Sequence, residues 1–555
     1  MYKIIIYNLG FHNMKIVGFH SGHDSSYSVL ENGVPKVHIE MERYTRRKNA
    51  TENSMDAFLE KDPDASTVIH MTTHRGGGMS LNNYMDSYNK LEDMIHARDG
   101  IAYITGHHQA HAANAFFTSN FRDALVVTID GGGVDYKDGS PHHKKNIDKE
   151  DPKSFRTCTT VWIGKENKIE PVDFISSANI NIGFYWANCT SKIFGLGTWR
   201  DPRGDQAGTV MGMAALGNPD KYSEYFKNIH DLTMHRNWGP TDYSFLKKEA
   251  DASEQNKFDI AASLQRETEI LIKNILTVYI DRYQPKNLCL SGGVSLNCIA
   301  VGKILEWFPE INVFCDPIPY DGGLSLGSSR YLWHHVLNNP RQYDSPQNQT
   351  PYLGYLYSKE EVESAINKYS TVVEIQTATD DFVIDELINK KIISVFGGRS
   401  ESGRRALGNR SIIADPRYIE TKDIVNDRVK HRQWFRPFAP SILREEVKEW
   451  FKYDVDSPYM SFAIPFKDDK KHLVPAVIHF DGTARLQTVT ESSNYWYYNF
   501  IKKFKSKTGV PILLNTSFND REPIVETPEH AINCFLNTNI DYLYFTDFKI
   551  LLYKK

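Results

Sequence analysis

The strongest constraint on this chain is a pattern that occurs three times: a short apolar strand running straight into a glycine-rich loop. KIVGFH leads into SGHDSS, DALVVTID into Gly131, Gly132 and Gly133, and NLCLS into Gly292-Gly293 and then a helix. Such loops turn backbone N–H groups toward an anion, and a helix that follows adds the positive end of its dipole. A single loop of this kind is more often only a turn. Three of them, each at a strand end, point to two half-units facing one another across a nucleotide cleft. Around the first loop, KIVGFH, YSVLE and VPKVHIEME read as a meander with Asn32-Gly33 as its hairpin turn.

A chain of 555 residues, 41% of them hydrophobic, exceeds what one core serves, so two or more domains are expected. The proline- and amide-rich run NNPRQYDSPQNQTP reads as a linker, which divides the chain into residues 14–345 and 352–555. In the second unit KKIISVFGG, VPILLNTSF and IDYLYFT read as strands, DDFVIDELINK and PEHAINCFLNT as amphipathic helices. Both units are therefore α/β. Sixty-five basic and 69 acidic residues leave a net charge of −4, which supplies no overall field for nucleic acid or a membrane surface. No apolar run approaches the roughly 18 residues of a membrane span. MYKIIIYNLGFHN lacks a signal-peptide cleavage pattern and reads as an extension ahead of the strand at Met14. Six cysteines without CxxC pairs fit reduced thiols in a cytoplasmic protein. DYKDGSPHHKKNIDKEDPKSF is expected to be an exposed insertion with His142 and His143 solvated. No heptad or exposed stripe marks an interface, which leaves the oligomeric state open.

GHHQAHAANAFF, if helical, puts His107 and His111 on one face, where two imidazoles can share a metal. An isolated HxxxH fits equally well a helix whose histidines are satisfied by hydrogen bonds. It is not the HExxH of a zinc protease, because His108 stands where that chemistry needs a glutamate base. Oxygen partners are available in TIDGGG and PYDGGLSLG, where Asp130 and Asp321 each sit in a glycine-rich loop after a strand. Two imidazoles with two carboxylates suit Fe(II), Mn(II) or Zn(II). The alternative for either aspartate alone is a turn cap.

These motifs, HHQAH, TIDG, LSGGVSLNC and PYDGGLSLG, closely resemble the actin-like metal-binding domain of the NodU/CmcH-type O-carbamoyltransferases of nodulation and antibiotic tailoring. More distantly the chain resembles the tRNA threonylcarbamoyl-transfer enzymes. The resemblance implies a duplicated, RNase H-like N-terminal fold that holds a metal, usually iron, on His107, His111, Asp130 and Asp321. It also implies phosphate contacts from Gly131, Gly132, Gly292, Gly293 and Asn297. GFHSGHDSS and EMERYTRRK match the family's opening, which implies that His23 and Lys48 line the transfer site. Where the family shows Gly-Lys-Val-Met-Gly, this chain has Thr209 in the lysine position. Asp205, just upstream, is a candidate general base for an acceptor hydroxyl, although a loop aspartate is more often a cap.

From Arg399 to Arg436 ten Lys/Arg face five Asp/Glu, a local excess that asks for an anion. Arginine forks suit a compact polyphosphate or carbamoyl phosphate better than an extended nucleic acid. Arg399, Arg405 and Arg410 stand out because they lie in a glycine-rich loop rather than at helix-surface spacing. RALGNRS, FRPFAPS and DGTARLQTV resemble the second module of the same family, a twisted α/β domain of the YrdC type that makes a carbamoyl-type adenylate. On this chain the resemblance assigns ATP, with Mg(II), and carbamoyl phosphate to Arg405, Lys430, Arg432, Arg436, Arg485, Ser517 and Asn519. Arg404 stands where the family has proline. The resulting expectation is an ATP-dependent carbamoyltransferase acting on a hydroxyl of a small molecule, a nucleoside-type acceptor included. The competing readings are an actin-like kinase or ATPase and a tRNA- or nucleoside-modifying transferase.

Overall fold

A computed structural model describes residues 14–76, 81–136, 154–176, 181–198, 201, 204–230, 240–343 and 345–555. The expectations for residues 1–13 and for His142 and His143 lie outside the described residues. The first sheet contains β1 (Lys15–Ser21), β2 (Ser26–Glu31), β3 (Val34–Glu40), β4 (His70–Arg75) and β5 (Ala102–Ile104) in the order β3-β2-β1-β4-β5. β1 to β3 form the expected antiparallel meander, and β4 and β5 run parallel to β1. Asn32 and Gly33 both have positive φ, as a tight turn matched to strand twist requires.

The second sheet repeats this plan. β6 (Asp123–Tyr136), β7 (Ser154–Lys165) and β8 (Lys168–Ser176) form the meander, and β9 (Asn287–Ser291) and β10 (Asn312–Cys315) extend it in parallel, in the order β10-β9-β6-β7-β8. Two sheets with the same strand order make the N-terminal domain an actin-like duplication. The helix after β5, His107–Thr118, packs on β6 and β9 of the other sheet, while the helix after β10, Leu324–Arg330, packs on β1 and β2. The two helices also pack on each other, so each half-unit is clamped by a helix from its counterpart.

The C-terminal α/β domain is built on a mixed nine-stranded sheet. Its strands are β11 (Val373–Thr377), β12 (Ile393–Phe396), β13 (Arg410–Ala414), β14 (Ala439–Leu443), β15 (Phe462–Pro465), β16 (Thr483–Val489), β17 (Ile512–Ser517), β18 (Tyr542–Phe545) and β19 (Ile550–Lys554). They run in the order β11-β19-β18-β12-β13-β17-β14-β16-β15. The expected helices are present at Asp380–Ile388 and Pro528–Leu536. One apolar core runs without a break from Leu125 and Leu290 through Phe258 and Phe435 to Leu513 and Leu551.

The segment expected to be a linker is pinned down instead. Arg341 donates to the carbonyls of Phe116, Ser119 and Phe121, and Arg330 donates to Phe117 and Asn348. The last carbonyls of the helix His107–Thr118 need donors, and two guanidiniums satisfy them while complementing its dipole. None of the six cysteines forms a disulfide, and all are buried. No helix among the described residues is long and apolar enough to cross a membrane.

The helix Cys298–Trp307 lies against β15, joining the two domains. A Cβ on Gly302 would stand 2.3 Å from the Ala463 carbonyl oxygen. Gly302→Val is therefore expected to pry the domains apart at a cost of about 1–3 kcal/mol, read as a lower thermal midpoint with unchanged metal content.

Candidate metal centre and anion cluster

His107 and His111 do share one face of a helix whose residues are all buried. Its start is organised from outside: Gln109 Oε1 accepts the Gly106 N–H at 3.1 Å, and Asp135 Oδ1 accepts the His108 N–H at 2.8 Å. Asp135 also receives His108 Nδ1–H at 2.6 Å, so His108 belongs to the scaffold. Asp130 arrives through a bulge. β6 is in register with β7 up to Ile129 and again from Gly133, so residues 130–132 leave the ladder and turn the carboxylate toward the helix. Its Oδ1 accepts the Gly293 N–H at 2.8 Å, and its Oδ2 lies 3.0 Å from His107 Nε2. Asp321, ahead of the helix Leu324–Arg330, has Oδ1 3.6 Å from His107 Nε2 and 3.5 Å from His111 Nε2. One ligand atom from each of these four residues lies within 4.8 Å of the others.

The donor set fits a divalent cation. His111 Nε2 is buried without a hydrogen-bond partner, an arrangement that costs stability unless something fills the cage. Burial opposes charge on His107, yet Asp321 and Asp130 outweigh it and lift its pKa to about 9. Burial likewise opposes charge on Asp321, but His107, His23 and His111 hold its carboxyl well below the usual range. Fe(II), Mn(II) and Zn(II) all suit two imidazoles and two carboxylates.

His23 borders this cage, with Nε2 3.2 Å from Asp321 Oδ2 and Nδ1 3.1 Å from Asp24 Oδ2. Asp24 in turn takes a hydrogen bond from Arg404 of the C-terminal domain at 3.0 Å, and the same guanidinium donates to Asn49 Oδ1 at 3.0 Å. The Arg404 guanidinium also lies over the ring of Tyr320. Arg404 thus reaches from the C-terminal domain into the N-terminal one. Lys48 lies within the fields of Glu42, Arg404 and Arg436. Asp205 Oδ1 accepts the Ala207 N–H at 3.0 Å at the start of a helix, and its other oxygen is 3.6 Å from Arg404. Thr209 Oγ1 accepts from Arg436 at 2.7 Å.

The glycine loops serve several purposes. Gly292 has φ +88° and a Cβ there would meet the Ile129 carbonyl at 2.3 Å, so the strand can turn only on glycine. Gly131 and Gly132 form the Asp130 bulge, with the Gly131 carbonyl held by Asn181 at 2.8 Å. Asn297 caps the helix Cys298–Trp307 through the Ala300 N–H at 3.2 Å and pairs with Gln265.

In the C-terminal domain Lys430 is buried and donates to the Ser517 carbonyl at 2.6 Å, the Asn519 carbonyl at 2.8 Å and Asn519 Oδ1 at 2.5 Å. Ser517 Oγ donates to Asn519 Oδ1 at 2.7 Å. Arg405, Arg432, Arg436 and Arg485 lie, half-buried, within one another's fields. Burial and then Arg485 lower the pKa of Arg436 to about 10 and of Arg405 to about 9. Burial, Arg436 and Arg485 push Arg432 down as well. Mutually repelling guanidiniums at one place are relieved by an anion that accepts several forks. The other loop arginines differ: Arg410 is spent on the carbonyls of Gly397 and Gly398, and Arg399 on that of Lys36.

A family model described as the carbamoyltransferase N-terminus matches residues 90–329, and one for the carbamoyltransferase C-terminus matches residues 384–551. Nodulation protein NolO of Bradyrhizobium diazoefficiens is 34% identical over 456 residues, covering 79% of this chain and 77% of that one. An uncharacterized protein of Synechocystis is 32% identical over 485 residues, 80% of this chain and 75% of its own. Among solved structures, full-length HypF in its phosphate- and nucleotide-bound form gives a TM-score of 0.34 at 12% identity over 59% of this chain and 47% of that one. The chain belongs to the carbamoyltransferase family. It is a carbamoyltransferase with an actin-like N-terminal domain and an α/β C-terminal domain.

Burial alone would raise the Asp24 pKa, and Arg404 with His23 brings it below its ordinary value. Arg404→Ala strands that carboxylate and is expected to cost on the order of 3 kcal/mol at neutral pH. Because the native pKa is lowered, the loss should be full above about pH 4 and shrink as the pH falls below it. Denaturant unfolding of both proteins at pH 7 and pH 3 checks this.

Proposed function

We propose that this protein is an ATP-dependent O-carbamoyltransferase with two active sites, one in each domain, divided at residues 14–345 and 352–555. The supporting observation is the juxtaposition of a two-histidine, two-aspartate cage with a cluster of guanidiniums that repel one another, linked through Arg404 and Asp24. In the C-terminal, YrdC-type domain, carbamoyl phosphate and water yield carbamate and phosphate. A carbamate oxygen then attacks the α-phosphorus of ATP, the bond from that phosphorus to the bridging oxygen breaks, and pyrophosphate leaves. Arg405, Arg432, Arg436 and Arg485 stabilise the charge that collects on the phosphates, with Mg(II) accompanying ATP. Lys430, whose N–H groups are taken by Ser517 and Asn519, fixes that loop beside the arginines for the carbamate end.

The mixed anhydride then moves to the domain junction. A small cavity there is lined by Ser295 and Asp316 from one domain and Arg404, Arg405 and Tyr459 from the other. An acceptor hydroxyl attacks the carbamoyl carbon, the carbon–oxygen bond to the phosphate breaks, and AMP departs. Fe(II), or alternatively Mn(II) or Zn(II), held by His107, His111, Asp130 and Asp321 would supply a Lewis acid for that carbonyl. His23, with Asp24 on Nδ1 and Asp321 on Nε2, lines the transfer site together with Lys48. Asp205, held by the Ala207 N–H and beside Arg404, is the candidate base for the hydroxyl proton. The acceptor is a small hydroxylated molecule, and keeping the anhydride between the domains limits its hydrolysis.

With ATP, carbamoyl phosphate and Fe(II), the wild type should release pyrophosphate. A kinase or ATPase would release ADP instead. Lys430→Ala and Ser517→Ala are each expected to lower pyrophosphate release at least about 100-fold, the scale of losing preorganisation of the transition-state site. His111→Ala should spare pyrophosphate release and block carbamoyl transfer. Equal loss of both steps in all three variants would contradict separate sites.

A further inference from the structure

Parallel pairing of β1 with β4 sets His20 opposite His74, and their rings stack with centroids 5.5 Å apart. Neither belongs to the four-residue cage, yet His74 touches it. Its Nδ1 lies 3.2 Å from the Thr105 carbonyl oxygen, and its Nε2 lies 3.2 Å from His107 Nδ1. A carbonyl oxygen can only accept, so the single ring proton of His74 sits on Nδ1 and a lone pair faces His107. His107 Nδ1 must then carry the hydrogen of that contact. What remains toward the cage is His107 Nε2, the nitrogen 3.0 Å from Asp130. Thr105 itself is held by the Thr73 carbonyl at 3.1 Å and stands two residues before His107, so the relay runs from the base of the helix to its first ligand.

We propose that His74 is a positioning residue of the metal centre, selecting the His107 tautomer and ring orientation through Thr105, His74 and His107 in series. This rests on the metal reading of the cage. Metal-bound imidazoles are commonly oriented by a partner on their second nitrogen, and an imidazole in that place is a device that distance alone reveals. His20 stacks on the outer face of His74 and keeps its ring from turning away.

The test is the Mn(II) affinity of the full-length protein, measured by electron paramagnetic resonance titration. His74→Leu, which removes the acceptor, should weaken Mn(II) binding about 10–100-fold, whereas His74→Gln, whose amide oxygen can accept the same hydrogen, should stay within about threefold. Wild-type affinity in a folded His74→Leu protein would overturn the proposal. Wild-type protein that binds no Mn(II), Fe(II) or Zn(II) would overturn the metal reading itself. If the leucine variant does not fold, histidine-selective ¹⁵N spectra of the Zn(II)-loaded wild type decide. Protons on Nδ1 of both His74 and His107 support the relay, and a proton on His74 Nε2 overturns it.

Discussion

The Asp321 carboxylate is the point on which the site depends. Its two oxygens stand within 3.6 Å of three imidazoles, those of His107, His111 and His23. It occupies that position because the helix it introduces packs on the sheet of the other half-unit and on the helix of the two histidines. The duplicated strand order is thus more than an architectural repeat. It sends one helix from each half across the junction, so that ligands distant in sequence converge where the halves meet. A charge cluster buried this deeply is held together only by a network in which each carboxylate answers several imidazoles.

The same economy governs the contact between the domains. Arg43 of the N-terminal domain donates to the carbonyls of Glu401 and Gly403, and Arg46 to those of Pro523 and Ile524. Arg404 and Arg436 reach in the opposite direction, to Asp24 and Thr209. Guanidiniums exchanged both ways, over a shared apolar core, hold the anion cluster and the metal cage in a fixed relation. Arg404 Nη1 also lies 3.6 Å from Asp205, four residues before Thr209, so the C-terminal domain supplies positive charge on that side of the junction.

Much of this was legible in the chain. The i, i+4 spacing of His107 and His111 follows from helical periodicity, and aspartates before glycines at strand ends mark loops that can be aimed into a cleft. Asn32-Gly33 announced its hairpin. What was not legible depends on long-range pairing. His20 and His74 each stand next to last in a strand, but only the parallel register of β1 with β4 brings them together and beside His107. Asn297 follows a phosphate-loop pattern and acts as a helix cap. The run near residues 338–351 has a linker's composition, yet Arg341 and Asn348 are needed by unsatisfied helix carbonyls and are buried with them. Loop arginines look alike in sequence, and only the positions of backbone carbonyls separate Arg410 from Arg405.

If, as proposed, the α-phosphate of ATP is attacked in one domain so that an acceptor can be carbamoylated in the other, labelled pyrophosphate should exchange into ATP in the absence of any acceptor. Exchange that requires carbamoyl phosphate is the predicted result. Accumulation of ADP without exchange would contradict it.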